Sequence, residues 1–125
     1  MSAETAEAKT TVEAQKRWLV TEGDRIGALA KSNKDWKHQL RTIWEAARLE
    51  TEPLVVLNLL RYQAARNQGN WHTPVDVYEP LRAAIETCRG TAGDDGELAM
   101  ELIRHLLAYT YRAFTFYSTE KGGGQ

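Results

Sequence analysis

Apolar residues in this chain recur at helical spacing, and no long segment alternates between apolar and polar residues. Between Trp36 and Ala47 they stand at positions i, i+4, i+7, i+8 and i+11, which places them on one face of a helix. A half-buried strand would need period two, and we find no convincing run of that kind. Because such helices must bury their apolar faces against one another, the spacing predicts an all-α fold, a compact bundle of about five helices.

The length of 125 residues suits one domain, and a hydrophobic content of 42% is enough to supply its core. We expect residues 1–10 to form a flexible lead-in, because they are polar and alanine-rich. Residues 11–120 are predicted to form a single helical-bundle domain. Residues 121–125, rich in glycine, are expected to be a disordered tail.

Turn and capping residues divide the domain into helices. The predicted helices cover about residues 11–31, 33–50 and 53–67, a shorter fourth helix ending near 89–90, and a long fifth helix over 96–120. Gly23 and Gly27 weaken the first helix and favour a bend. Pro80 is expected in the first turn of the fourth helix or at a break, because proline cannot donate a backbone hydrogen bond.

The third predicted helix is apolar nearly all round, which is typical of the buried centre of a bundle. Arg61 and Arg66 lie in this helix, where a buried guanidinium would need a partner. That partner is a carboxylate, a cluster of backbone carbonyls or a phosphate.

Charge is unevenly distributed although the net charge is only −1. Residues 31–68 hold seven basic and four acidic residues, whereas residues 69–125 hold five basic and eight acidic ones. The basic residues of the second helix recur about one turn apart, on a face rotated by roughly a third of a turn from the apolar one. They are Lys34, Lys37, His38, Arg41 and Arg48. Such a row either solvates an exposed face or follows a phosphodiester backbone.

Residues for catalysis or metal binding are scattered. His38, His72, His105 and Cys88 show no metal-ligand spacing, and no glycine loop precedes a lysine at the phosphate-binding distance. We therefore expect no metal, no cofactor and no enzymatic activity. Asp94-Asp95 is predicted to cap the fifth helix.

The aromatic residues of the fifth helix span several of its faces. They are Tyr109, Tyr111, Phe114, Phe116 and Tyr117. This distribution favours core packing with a subunit contact over a base-stacking platform. The amino-terminal segment lacks the pattern of a signal peptide, the longest apolar run is too short to span a membrane, and a single cysteine suits the cytoplasm.

Three short elements together resemble a known family. They are His38-Gln39-Leu40-Arg41-Thr42-Ile43, Leu60-Arg61-Tyr62-Gln63-Ala64-Ala65-Arg66-Asn67 and Leu107-Ala108-Tyr109-Thr110-Tyr111-Arg112-Ala113-Phe114. In this order they resemble the small helical subunit of type III-A (Csm-type) CRISPR effector complexes. The chain departs from that family at Ala65, where glycine is usual, and in lacking a basic excess.

The resemblance implies a non-catalytic subunit for antiviral defence. Such subunits stack on copies of themselves along the complex and contact the guide RNA, the target RNA and other effector subunits. Carried over by position, it marks Gln39, Arg41, Arg61, Tyr62, Arg66 and, at an offset, Arg112 as RNA-binding residues. The alternative is a helical adaptor or homodimerisation module without a nucleic-acid role, in which the Trp71 loop and the last helix form the contact.

Overall fold

The computed structural model describes the backbone of residues 3–31, 36–66 and 74–123, and the side chains of residues 11–31, 36–65 and 77–118. Within these ranges all regular structure is helical. The five helices are α1 (Ala3–Ala30), α2 (Trp36–Leu49), α3 (Pro53–Arg66), α4 (Pro74–Ala92) and α5 (Gly96–Gly123). The predicted all-α bundle of about five helices is therefore confirmed. None of the helices in the described ranges is long and apolar enough to cross a membrane.

Helix α5 is the centre of the bundle. Its most extensive contact is with α1, and it also contacts α2, α3 and α4. Two sides of α5 are buried, one carrying Leu102 and Leu106 and the other carrying Ile103 and Leu107. Of the aromatic residues of the fifth helix, for which core packing with a subunit contact is expected, Phe114 is buried and Phe116 is exposed.

The expectation that α3 is the buried centre was wrong. Val56, Leu60 and Ala64 face the core, whereas Leu54 and Val55 are largely exposed. The sequence of a helix that is apolar on every side does not indicate which side is buried. In this bundle α5 occupies the central position, so α3 lies outside it.

Helices α1 and α5 run in the same direction and touch backbone to backbone. A Cβ atom at Gly23 would lie 2.7 Å from the Cβ of Tyr109, and one at Gly27 would lie 2.6 Å from the Cβ of Ala113. The two glycines therefore leave the space that α5 fills. α1 remains one continuous helix from Ala3 to Ala30.

The short link between α2 and α3 is held by carboxylates that accept backbone hydrogen bonds. A side-chain oxygen of Glu50 accepts from the backbone nitrogens of Thr51 and Glu52 at 3.0 and 3.1 Å. Glu52 accepts from the backbone nitrogen of Leu54 at 3.0 Å, satisfying a first-turn donor of α3. Pro53 opens α3 as predicted.

Helix α4 passes through Pro80 without a break, so the prediction for this residue was wrong. The residues spaced along its inner side are almost fully buried. They are Val77, Leu81, Ala84, Ile85 and Cys88. The free energy gained by burying these side chains outweighs the loss of the one backbone hydrogen bond that proline cannot donate.

Helix α4 extends past its predicted end and stops at Gly93, whose φ of +63° suits glycine. Asp95 then caps α5 as predicted, accepting from the backbone nitrogen of Leu98 at 3.0 Å.

Candidate nucleic-acid interface

The basic row of α2 lies on the surface of the bundle. Lys37, His38, Arg41 and Arg48 are all exposed, while Leu40 and Ile43 on the apolar face, about a third of a turn away, are buried. The separation of apolar and basic faces predicted for α2 is thus confirmed for these residues. Lys34, the first cation of the predicted row, lies outside the described residues.

One carboxylate lies beside the row. Nε of Arg41 is 3.5 Å from a side-chain oxygen of Glu45, and the two side chains are 60% and 54% exposed. An ion pair this exposed is held weakly against water, so Arg41 can exchange it for a phosphate. Arg48 and Glu45 also line an open depression of about 350 Å³ together with Leu49.

Arg61 lies on the exposed side of α3 with Tyr62, which is 56% exposed. The expectation that Arg61 is buried was wrong, because its side of α3 faces solvent, so the guanidinium does not require a carboxylate or a cluster of backbone carbonyls as partner. Within the described side chains Arg61 makes no ion pair. The side chain of Arg66, at the end of α3, lies outside the described residues.

Two predicted residues lie apart from this row. Gln39 is half-buried and lies on nearly the opposite side of α2 from Arg41, at about 100° per residue. Arg112 is exposed on α5, with its guanidinium 5.7 Å from the ring centre of Tyr109. The structure therefore places Lys37, Arg41 and Arg48 on one exposed face of α2 and Arg61 on the exposed side of α3, and it leaves Gln39 and Arg112 on other faces.

An aromatic pair joins α2 to α5 beside the basic row. The rings of Trp44 and Tyr111 stack with centroids 5.4 Å apart and an interplanar angle of 24°. Both are half-buried, so Trp44 forms the edge of the apolar face of α2 rather than its centre. At about 100° per residue, Lys37, Arg41 and Arg48 lie within about 60° of Trp44 around the helix. The stack therefore fixes the orientation of the cation-bearing side of α2 relative to α5.

Arg104 is a structural residue that the sequence analysis did not identify. Its Nε donates to the carbonyl oxygen of Ala47 at 2.8 Å, and its Nη2 donates to that of Glu50 at 2.8 Å. These carbonyls lie at the end of α2, where no intrahelical donor remains and a cation is favoured. Arg104 thereby fixes the end of α2 and the link that leads to Arg61. The available signal was its position in an apolar segment of α5, between Leu102-Ile103 and Leu106-Leu107.

Groups with catalytic potential do not converge in the part of the chain described here. Among the described residues no three His, Cys, Asp or Glu side chains are placed to hold a metal ion. Burial raises the pKa of the Cys88 thiol to about 12, which keeps it protonated and unreactive near neutral pH. His72 and Trp71 lie outside the described residues.

Comparisons with family models, with curated proteins and with solved structures give no match for this chain.

Proposed function

We propose that this chain is a non-catalytic, RNA-contacting small subunit of a type III CRISPR effector complex. The observation that carries the proposal is the exposed set of cations on two consecutive helices, Lys37, Arg41 and Arg48 on α2 and Arg61 on α3. Its support from the sequence is the resemblance of three ordered elements, two of which contain Arg41 and Arg61.

In this proposal the subunit holds the guide–target RNA duplex through its phosphates and does not read bases. Each phosphate neutralised by Lys or Arg releases counterions, so affinity gains from every cation in the row. Sequence reading is left to base pairing between the two RNA strands, as in other RNA-guided complexes. The proposed partners are guide RNA, target RNA, other effector subunits and copies of the chain. The proposed location is the cytoplasm, and neither a cofactor nor a metal is required.

The test is the triple replacement of Arg41, Arg61 and Arg66 by alanine. The chain, affinity-purified from its native cells, is assayed for retained RNA by the ratio of nucleic-acid to protein absorbance, and for binding of labelled RNA at several salt concentrations. The triple variant should retain less RNA of every sequence. The slope of log affinity against log salt should fall by about 2–3 in magnitude if three phosphate contacts are lost.

A matched control removes the same charge elsewhere. Arg25, Arg82 and Arg89 lie on α1 and α4, each in an i, i+3 ion pair with a glutamate. Their triple replacement by alanine should leave RNA retention and the salt slope at wild-type values. An unchanged slope in the Arg41, Arg61 and Arg66 variant, or an equal loss in the control, would contradict the proposed face.

One observation favours the alternative, a helical adaptor or homodimerisation module. The outer side of α3 and the end of α2 expose several large apolar side chains, Leu49 (89%), Leu54 (54%), Val55 (46%) and Tyr62 (56%). Such a patch is typical of a protein contact. This alternative predicts purified protein free of RNA and a concentration-dependent dimer that persists in high salt, both measurable by size-exclusion chromatography with light scattering.

A further inference from the structure

A second surface of the molecule carries planar side chains in a single row along α5. His105, Tyr109, Arg112 and Phe116 stand at i, i+4, i+7 and i+11, within about 60° of one another around the helix. We call this row the α5 ladder. It lies about a third of a turn from Tyr111, so it is separate from the Trp44 stack and from the basic row of α2.

The first three members of the ladder are in contact or nearly so. The ring centroids of His105 and Tyr109 are 6.1 Å apart, and the Arg112 guanidinium lies 5.7 Å from the ring centre of Tyr109. Phe116, at the end of the row, is 60% exposed and meets the next ring, Tyr117, edge to face at 5.2 Å. His105, Tyr109 and Arg112 therefore form one packed group, in which His105 and Tyr109 are half-buried, and the exposed Phe116 lies one turn beyond it.

Acidic side chains near the ladder are engaged elsewhere. A side-chain oxygen of Glu101 lies 3.2 Å from Nη1 of Arg104, and Asp24 accepts a hydrogen bond from the Tyr117 hydroxyl at 2.9 Å. Arg112 makes no ion pair with any other described side chain. The positive charge of Arg112 is therefore available to an anionic ligand.

We propose that the α5 ladder binds single-stranded RNA by stacking unpaired bases. All four side chains end in flat groups, and these are the side-chain types on which unpaired bases stack. The ladder contains no aliphatic residue, whereas an apolar protein contact would favour a surface like that of α3. Over eleven residues it rises about 16 Å, the length of roughly five stacked nucleotides at about 3.4 Å each.

This inference rests on the proposed function in that the ligand is RNA, but it concerns a different surface and a different contact. The basic row of α2 and α3 would hold phosphates, so its loss flattens the salt dependence. Stacking on Phe116 involves no charge, so its loss lowers affinity at every salt concentration and leaves the slope unchanged. The two surfaces can therefore be tested in the same experiment.

The experiment measures binding of the full chain to two fluorescein-labelled probes, oligo(U) RNA of 12 nucleotides and a 12-base-pair RNA duplex, by fluorescence anisotropy. Phe116→Leu keeps an apolar side chain and removes the ring, and it should weaken oligo(U) binding by about fivefold or more. Phe116→Trp should bind at least as well as wild type. Arg112→Lys keeps the positive charge but removes the planar guanidinium. It should weaken oligo(U) binding and leave the salt slope unchanged.

Thr115→Ala is the matched control, because Thr115 is exposed on α5 beside Phe116 but outside the ladder. Circular dichroism checks that each variant is folded, which is expected since Phe116 is mostly exposed.

Wild-type oligo(U) affinity in both Phe116→Leu and Arg112→Lys would overturn the ladder while leaving the proposed function standing. An equal loss of oligo(U) and duplex would also overturn it, since stacking requires unpaired bases. Loss of a co-purifying protein without loss of RNA would identify the ladder as a protein contact. If the wild-type chain binds neither probe and no RNA co-purifies with it from its native cells, the proposed function is contradicted as well.

Discussion

Gly27 of α1 faces Ala113 of α5 with no room for a side chain between them. A Cβ at Gly27 would lie 2.6 Å from both the Cβ of Ala113 and the backbone nitrogen of Phe114. Backbone atoms cannot move aside as the end of a flexible side chain can. Helices α1 and α5 can therefore approach this closely because Gly27 has no Cβ.

Gly27→Ala should destabilise the protein by about 1–3 kcal/mol, because α1 and α5 must separate to admit the methyl group. Gly90→Ala is the control, since nothing lies within 4 Å of a Cβ there and Gly90 is inside α4. That change should stabilise the protein by about 0.5–1 kcal/mol through helix propensity alone. Urea unfolding followed by circular dichroism measures both. Equal effects at the two glycines would contradict the close contact.

Arg104→Met should destabilise the protein by about 1–3 kcal/mol. The change keeps much of the packing but leaves the carbonyls of Ala47 and Glu50 without their donors. Arg82→Met tests whether loss of charge alone matters, because the ion pair that Arg82 forms among the described residues is with nearby Glu79 on the surface of α4. It should have little measurable effect on the free energy of unfolding. A loss as large as that of Arg104→Met would argue against a capping role.

Leu60→Ala and Leu54→Ala compare the two sides of α3. Leu60 is fully buried, so its truncation should cost about 2–5 kcal/mol. Leu54 is more than half exposed, and its truncation should cost less than about 1 kcal/mol. The measurement is the free energy of unfolding of each variant. Similar costs would mean that the outer side of α3 is covered, for example in a dimer, and a concentration series would then reveal it.

Cys88 should resist thiol reagents in the native protein at pH 8 and react after unfolding in guanidinium chloride. Burial raises its pKa to about 12, so almost no thiolate is present. The raised pKa stabilises the fold at pH values below the ordinary value of 9.0. This contribution is lost as the pH rises from about 9 toward about 12, because the unfolded thiol ionises first.

The pH dependence is checked against Cys88→Ala. The difference in the free energy of unfolding between wild type and Cys88→Ala should narrow between pH 8 and pH 11. Rapid labelling of the native protein at pH 8 would show instead that the thiol is accessible.

Local features of the fold were predictable from the sequence. Helix α2 shows a clear 3.6-residue spacing, and Trp36, Leu40 and Ile43 are all buried as it predicts. Likewise, Pro53 and Asp95 mark helix starts, because proline fixes its own backbone angle and an aspartate side chain accepts a hydrogen bond from the first turn. Such signals depend on neighbours within one or two turns.

Features that depend on distant contacts were not predictable. Arg104 donates to carbonyls of residues 54 and 57 positions earlier, and no spacing rule connects them. Gly23 and Gly27 weaken an isolated helix, yet here they permit the α1–α5 contact. The apolar third helix gave no indication of which side faces the core, so the exposure of Arg61 became visible only in the packed bundle.

The pairing of α1 with α5 bears on how the chain acquires its structure. Asp24 and Tyr117 meet across 93 residues of sequence, so the entropy of closing that loop is lost before burial compensates for it. A nascent chain would keep the glycine side of α1 uncovered until α5 emerges from the ribosome. Folding is then a late, cooperative event, and an early release of the chain would yield an aggregation-prone fragment rather than a smaller stable bundle.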